Sequence, residues 1–128
     1  MNNGNLYDNH PGIFELKTKD FNKGSVIPKL NQFANKVSMV VFYAPWCGHC
    51  RNMVDDIKEL ASALKDEGFV IGTVNCENNK DIGEVCDVQS FPTIYFIKEK
   101  DAQKYTGSRD LESLVNFLCE TLGTCKKK

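Results

Sequence analysis

Two cysteines separated by two residues, Cys47 and Cys50 in the motif C-G-H-C, are the part of the sequence best suited to chemistry. A pair with this spacing could exchange disulfides, close a structural disulfide or supply half of a zinc site. A four-ligand zinc site needs a second such pair or a close Cys/His pair, whereas Cys76 and Cys86 are too far apart and have no histidine nearby. Zinc is therefore disfavoured, which leaves redox exchange and a structural disulfide, and no metal or other cofactor is predicted; the residues that flank the pair favour redox exchange.

The two cysteines are expected to play different roles because they stand at different positions of a predicted helix. An ordinary thiol has a pKa of about 8.5 and is mostly protonated at neutral pH. Cys47 opens the helix, where unpaired N–H groups favour a thiolate, and His49 can add a positive charge. Cys47 is therefore the predicted nucleophile. Cys50, one turn further on and less exposed, is the predicted resolving thiol.

Hydrophobic patterning places this pair between a buried strand and a helix. The apolar run 37–44 predicts a central strand, and apolar residues at three- and four-residue steps across 47–65 predict a helix that Gly68 ends. A second buried strand is predicted over 69–76, which completes a βαβ unit. Further strands are predicted over 13–17, 93–99 and 104–107, and further helices over 79–87 and 108–122.

Length and composition predict a single domain without large charged surfaces. The 128 residues are divided into a leader or linker (1–11), a catalytic domain (12–122) and a tail (123–128). An irregular helix capped by Asp20 is predicted over 21–36. A net charge of −1 gives no argument for nucleic acid or membrane partners, and no stretch has the length of a membrane span. A monomer is expected.

The four other cysteines bear on the compartment in which the protein works. Six cysteines in all favour an oxidising compartment. Cys119 and Cys125 are predicted to close a disulfide across the end of the last helix; the alternative is a buried Cys119 and a loose Cys125. Cys76 and Cys86 are either bonded, which would stabilise the fold by about 2–3 kcal/mol, or two buried free thiols.

The stretch F-Y-A-P-W-C-G-H-C at 42–50, together with S-F-P-T at 90–93 before a predicted strand, resembles the catalytic domain of protein disulfide isomerases. The resemblance covers roughly residues 13–122. It implies an α/β thioredoxin fold, a mixed central sheet flanked by helices on both faces. It also implies thiol–disulfide oxidoreductase and isomerase activity on cysteines of unfolded or misoxidised protein clients, which aids oxidative folding. The endoplasmic reticulum lumen or another oxidising secretory compartment is the implied location, and a thiol oxidase or glutathione is the implied oxidant.

The same resemblance assigns roles to residues inside and outside the motif. Gly48 and His49 become part of the catalytic motif, and the thioredoxin family usually has proline at the position of His49. A histidine that stabilises the reduced thiolate makes the disulfide a stronger oxidant; isomerase sites have potentials near about −180 mV, against about −270 mV for thioredoxin. Arg109, in Y-T-G-S-R, matches an arginine that lowers the pKa of the resolving cysteine.

Three further residues are predicted to contact the client. Pro92 matches the family's cis-proline, so that the backbone of Phe91 would face the cysteine pair and bind an extended client chain. Trp46, directly before the motif, is predicted to lie at the rim of the site and to touch the client rather than pack in the core.

Two positions depart from the family pattern. Val41 stands where the family has a buried acid that accepts the proton of the resolving cysteine. Release of the client is therefore expected to be slow. Asp55 stands where the family has a helix proline, which predicts a straighter helix.

Two rival functions remain at this stage. One is a cytosolic reductase of thioredoxin type, which the residue at His49 argues against. The other is a redox-silent domain that only binds clients, which the intact pair Cys47 and Cys50 argues against. The polar start of the chain is not a signal peptide, which leaves either a cytosolic chain or a mature form whose signal has been removed.

Overall fold

The structure is a computed structural model that describes residues 6–7, 10–34 and 36–122. Its five strands are β1 (Ile13–Leu16), β2 (Val37–Tyr43), β3 (Phe69–Asn75), β4 (Thr93–Lys98) and β5 (Asp101–Tyr105). Its helices are α1 (Gly48–Asn52), α2 (Val54–Leu64), α3 (Ile82–Cys86) and α4 (Leu111–Phe117), and α4 continues as a π-helical turn, Leu118–Leu122. None of the helices in this described part combines the length and the apolar character that crossing a bilayer requires.

The strands form one mixed sheet in the order β1-β3-β2-β4-β5. β1, β3 and β2 are parallel, whereas β4 runs antiparallel to β2, and β5 antiparallel to β4. The parallel pairing of β2 with β3 across α1 and α2 confirms the predicted βαβ unit. β2 is at the centre of the sheet, and its last residue, Tyr43, comes four residues before Cys47. The sheet therefore fixes the position from which the C-G-H-C motif starts.

The sheet is covered on both faces, and each face has its own core. On one face, β2 and β3 pack against α2 and α4 through residues such as Met39, Ile57 and Leu114. On the other face, Val40 and Phe42 pack against α3 and against the segment that precedes β2. Alternate residues of β2 point to opposite faces, and both sets are apolar, which explains the continuous hydrophobic run.

The helix predicted over 47–65 is present, but it is divided. α1 and α2 meet at Met53, whose backbone (φ −100°, ψ 2°) leaves the helical region. The straighter helix expected from Asp55 is therefore wrong, because the division is made by the backbone at Met53. Gly68 ends the segment with φ +79°, a left-handed conformation that glycine adopts without a Cβ clash, as predicted.

The helix predicted over 21–36 is absent. Two short 3₁₀ turns, Thr18–Asp20 and Asn31–Phe33, stand near its ends, and the chain between them is irregular. Gly24 takes φ +84°, and its N–H donates to the carbonyl of Val85, so the segment is held by α3 instead of by its own helical hydrogen bonds. Phe33 is nevertheless buried, because the segment covers one face of the sheet as a helix would.

The packed part of the chain begins earlier than the predicted boundary at residue 12. Tyr7 is only 3% exposed and belongs to the same core as Cys50. The N–H of Leu6 donates to the Tyr43 hydroxyl at 3.2 Å, and the rings of Tyr7 and Tyr43 meet edge to face. Because the residues around Leu6 and Tyr7 are polar, this contact was not predicted from the sequence. The predicted tail at 123–128 lies outside the described residues.

Candidate active site

Cys47 caps the start of α1 and is half-buried. Its backbone is extended (φ −80°, ψ 122°), and its carbonyl accepts the first helical hydrogen bond from the N–H of Arg51. The side chain itself caps no backbone N–H, so its sulfur stays available. The Sγ of Cys47 instead donates to the carbonyl oxygen of Phe91 at 3.6 Å.

Cys50 lies behind Cys47 and is only 1% exposed. Burial raises the pKa of the Cys50 thiol from 9.0 to about 12, and its hydrogen bond with the Cys47 side chain acts in the same direction. A hydrogen bond with the Ala44 backbone and the positive charge of Arg109 both lower that pKa, but less than burial raises it. The two thiols therefore differ in access as the sequence predicted, and Cys50 needs help to lose its proton.

The predicted cis-proline is cis in the structure. The Phe91–Pro92 bond places Pro92 in the interior and leaves Phe91 half-buried beside Cys47. The carbonyl of Phe91 faces the cysteine pair, because it accepts from Cys47. The structure thus brings Phe91 and Pro92, which are more than 40 residues away in sequence, against the motif.

Two charged residues predicted to act on the cysteines lie together. His49 and Arg109 are both exposed and line one shallow cavity of about 250 Å³, which Asp56 and Asp110 also line. Asp110 caps α4 by accepting from the N–H of Ser113, and Arg109 directly precedes this cap residue. From there its charge acts on Cys50, as the resemblance implied.

Trp46 is the large apolar side chain that the fold leaves exposed among the described residues, at 67%. Its ring meets that of Phe91 edge to face, with centroids 6.1 Å apart. Its indole N–H donates to Oε1 of Glu77 at 3.0 Å, and Glu77 also pairs with Lys80 at 3.9 Å. Trp46 and Phe91 therefore form an apolar rim beside Cys47, and the predicted core alternative for Trp46 is not what the structure has.

Gly48 is exposed at the first position of α1. A Cβ added there would meet no atom within 4 Å, and the backbone does not have a positive φ. Packing within the domain therefore does not require glycine at this position. The space around this position is open.

Val41 is fully buried at the place where the resemblance implies an acid. In the sheet it stands between Thr73 of β3 and Ile94 of β4, and it shares a core with Cys50. Thr73 pairs on its other side with Glu15 of β1, so Glu15, Thr73 and Val41 form one row across the three strands. Glu15 is the acid in this row, and it is two strands, or about 10 Å, from Val41. No carboxylate stands at Val41 itself, so the structure lacks the acid that the resemblance implies at this position.

The remaining cysteines lie away from the site. Cys76 and Cys86 are both buried and free; their thiols donate to the carbonyls of Val74 and Ser25, so the structure has the second of the two alternatives for this pair. Cys119 is disulfide-bonded. Its predicted partner, Cys125, lies outside the described residues, so the pairing stays a prediction. No group of three or more His, Cys, Asp and Glu side chains in the described ranges could hold a metal ion.

The structure brings the predicted site residues together around one dithiol. They are Trp46, Cys47, Gly48, His49, Cys50, Phe91, Pro92 and Arg109. Sequence reasoning missed Glu77 and Tyr7. The contact of Glu77 with Trp46 joins loops 31 positions apart, and no local pattern marks it. For Tyr7, the apolar pair Leu6-Tyr7 within a polar stretch was the available signal.

Comparison with known proteins gives consistent matches. The sequence model of the thioredoxin family, described as "Thioredoxin", matches residues 13–120. Protein disulfide isomerase-like 2-2 of Oryza sativa subsp. japonica is 39% identical over 95 residues, which are 72% of this chain and 26% of that protein. Protein disulfide-isomerase A6 of Mesocricetus auratus is 34% identical over 119 residues, 91% of this chain and 26% of that protein.

Among solved structures, the J-Trx1 fragment of ERdj5 superposes with a TM-score of 0.75 at 28% identity, covering 92% of this chain and 55% of that one. The chain spans about a quarter of the length of the curated relatives that it matches.

Proposed function

The chain belongs to the thioredoxin family, with protein disulfide isomerases among its relatives, and on that premise we propose that it is a thiol–disulfide oxidoreductase and isomerase acting on protein clients. The observation that carries the proposal is the unequal placement of the two thiols: Cys47 is accessible at the start of α1, and Cys50 is fully buried behind it. Such a pair supports attack by the first sulfur and intramolecular resolution by the second.

Attack begins when the Cys47 thiolate reaches one sulfur of a client disulfide. A bond forms between Cys47 and that sulfur, and the other client sulfur leaves as a thiolate and takes up a proton. The rim formed by Trp46 and Phe91 supports apolar contact with the client, and the Phe91 carbonyl offers a backbone hydrogen bond to an extended chain. The client is thus held beside the sulfur that reacts.

Resolution follows when Cys50 attacks Cys47. The bond between the two cysteines forms, the bond to the client breaks, and the client sulfur leaves. Alternatively, a second client thiol attacks the mixed disulfide and completes an isomerisation. The reverse sequence transfers the Cys47–Cys50 disulfide to a reduced client, after which a thiol oxidase or glutathione reoxidises the pair.

His49 supports the oxidising direction of this cycle. The side chain is exposed and lines the same cavity as Arg109, so a protonated imidazole there would add to the positive charge that favours the reduced, ionised site. Stabilising the reduced form raises the potential, which suits oxidative folding in the endoplasmic reticulum lumen or another oxidising secretory compartment. We further propose that the domain acts as a monomer.

The test is exchange with a client peptide that contains one disulfide. Cys47→Ser should abolish exchange, whereas Cys50→Ser should accumulate a mixed disulfide through Cys47, visible by mass spectrometry. Alkylation of Cys50 before Cys47 at mildly acidic pH would reverse the assigned roles. If the wild-type protein binds clients without exchange, and Cys47→Ala with Cys50→Ala binds equally well, the domain is a binding module and the proposal is wrong.

A further inference from the structure

Tyr7 carries a buried hydroxyl that the exchange reaction described above leaves without a role. The residue is 3% exposed, and its hydroxyl oxygen has no hydrogen-bond partner. A buried polar group without a partner destabilises a fold, and phenylalanine would fill the same space without that cost. A tyrosine at such a place calls for an explanation.

The surroundings of the hydroxyl point to Cys50. Tyr7 packs in the same core as Cys50, and its ring is held edge to face against Tyr43 with centroids 5.4 Å apart. Tyr43 is itself anchored, because its hydroxyl accepts from the N–H of Leu6. The Tyr7 side chain is therefore packed, with its hydroxyl buried, in the core that contains Cys50.

The electrostatics agree with this placement. Burial raises the pKa of Tyr7, and the negative charge that Cys50 carries when ionised raises it further. Tyr7 thus stays protonated while Cys50 ionises, which leaves it able to donate a hydrogen bond. The other titratable groups that act on Cys50 are Cys47 and Arg109, and Tyr43 acts on Tyr7. The acid of this sheet row, Glu15, is two strands away.

We propose that the Tyr7 hydroxyl donates a hydrogen bond to the Sγ of Cys50 as that thiol loses its proton, and thereby speeds release of the client. This inference rests on the proposed function. In the step concerned, Cys50 forms a bond with the Cys47 sulfur, and the bond from Cys47 to the client breaks. The client sulfur leaves with the electron pair and takes up the proton that Cys50 gave to solvent. Cys50 is oxidised and the client sulfur reduced, so no further oxidant is consumed.

The arrangement offers a donor without placing a second charge in the core. A carboxylate beside Cys50 would have to be desolvated in the resting domain, whereas a neutral hydroxyl is not charged at any stage. The hydroxyl has no partner in the structure, where Cys50 is a free thiol, and gains one when the thiolate forms. Its stabilisation is therefore greater in the step than in the resting state, as a catalytic contribution requires.

The experiment measures release from a mixed disulfide between Cys47 and a cysteine-containing peptide, in the wild type and in Tyr7→Phe, across a pH range that spans half-maximal release in both proteins. Loss of a hydrogen bond to a charged sulfur should slow release about tenfold and raise the pH of half-maximal release by about one unit. The rate at which the mixed disulfide forms should be the same in Tyr7→Phe and in the wild type. The thermal midpoint should stay equal or rise, because the hydroxyl without a partner is gone.

Tyr95→Phe is the matched control, because Tyr95 packs on the opposite face of the sheet. It should release the peptide at the wild-type rate. Release by Tyr7→Phe that equals the wild type at every pH would overturn the inference. So would slower release without a shift in the pH midpoint, since that pattern indicates altered packing. Slower release by Glu15→Gln, with Tyr7→Phe unchanged, would transfer the role to Glu15.

A second measurement uses the unsubstituted sequence. The tyrosine Cζ atoms are labelled with ¹³C, and the chemical shift of Tyr7 in the reduced protein is followed as the pH is raised. It should change with the same pH midpoint as the rate at which Cys50 is alkylated. A Tyr7 resonance that does not respond would overturn the inference. Failure of the wild type to form any mixed disulfide would instead refute the proposed function, on which this inference depends.

Discussion

The indole N–H of Trp46 donates a hydrogen bond to the Oε1 atom of Glu77, with 3.0 Å between the two heavy atoms. The bond joins the turn before the C-G-H-C motif to the loop after β3. It holds an exposed ring edge-on to Phe91, in the orientation that forms one wall beside the Cys47 sulfur. An exposed tryptophan without such a tether would lose rotamer entropy each time a client bound.

Glu77→Ala should therefore weaken client binding. Removing an exposed hydrogen bond of about 1 kcal/mol is expected to raise the Kd for a cysteine-free peptide roughly fivefold. Trp46 is the only tryptophan in the sequence, so its fluorescence anisotropy should fall at the same time. Lys80→Ala is the control, because it removes the cation that pairs with Glu77 but keeps the carboxylate that holds Trp46. Unchanged anisotropy in Glu77→Ala would show that the bond does not orient the ring.

His49→Pro should make the dithiol more reducing. Proline removes the imidazole that shares a cavity with Arg109, so on the proposed function the reduced, ionised form loses a group that can stabilise it. A loss of about 1.4 kcal/mol corresponds to a fall of about 30 mV. Equilibration of each form with glutathione buffers gives the potentials. A wild-type potential at or below that of thioredoxin, about −270 mV, would contradict the oxidising direction.

Val41→Glu should lower the free energy of unfolding and raise the rate at which the client is released. The side chain is fully buried in the core that contains Cys50, so an unpaired carboxyl there should cost about 3 kcal/mol of unfolding free energy. Placed in that core, it should also accept the Cys50 proton and speed release. Val40→Glu is the matched control, since Val40 is equally buried but faces the other core. Equal release rates in the wild type and Val41→Glu at every pH would show that the missing acid does not limit the reaction.

The buried thiols predict how stability depends on pH. Burial raises the pKa of Cys76 from 9.0 to about 12 and that of Cys86 from 9.0 to about 11. Between these values the unfolded chain has lost protons that the folded chain keeps. The free energy of unfolding of the reduced protein should therefore be unaffected by these thiols below about pH 9 and fall above it, by up to about 1.4 kcal/mol per pH unit for each thiol.

Denaturant unfolding at pH 8, 9.5 and 10.5 under reducing conditions measures this slope. Cys76→Ala with Cys86→Ala should show a shallower slope than the wild type over that range, whatever its stability at pH 8. Identical slopes in the two proteins would contradict burial of the thiols.

Much of the sheet and of the dithiol site could be predicted from sequence because the signals there are local. A continuous apolar run predicted β2, helical periodicity predicted α2, and the spacing of Cys47 and Cys50 marked the candidate site. The positions of Pro92 and Arg109 came from the family resemblance, since nothing in their own neighbourhood points to a cysteine 40 or more residues away.

The failures have a common physical cause: a tertiary contact overrode or supplemented the local pattern. The apolar residues before β2 follow a helical spacing, yet Gly24 binds α3 and the chain stays irregular. Tyr7 stands in a polar stretch, yet it is buried because its ring packs against Tyr43. In each case the deciding partner is distant in sequence, so no window along the chain contains it.

The short, charged edge strand β5 bears on how this domain would contact other chains. This strand lies at one edge of the sheet and is largely exposed, so one row of its backbone groups is available for pairing with any extended segment. It is only five residues long and carries Asp101 and Lys104. Short, charged edges resist intermolecular sheet formation. The edge at β5 is therefore poorly suited to pairing with a strand of another chain, so we expect an extended client to bind beside the dithiol instead of at β5.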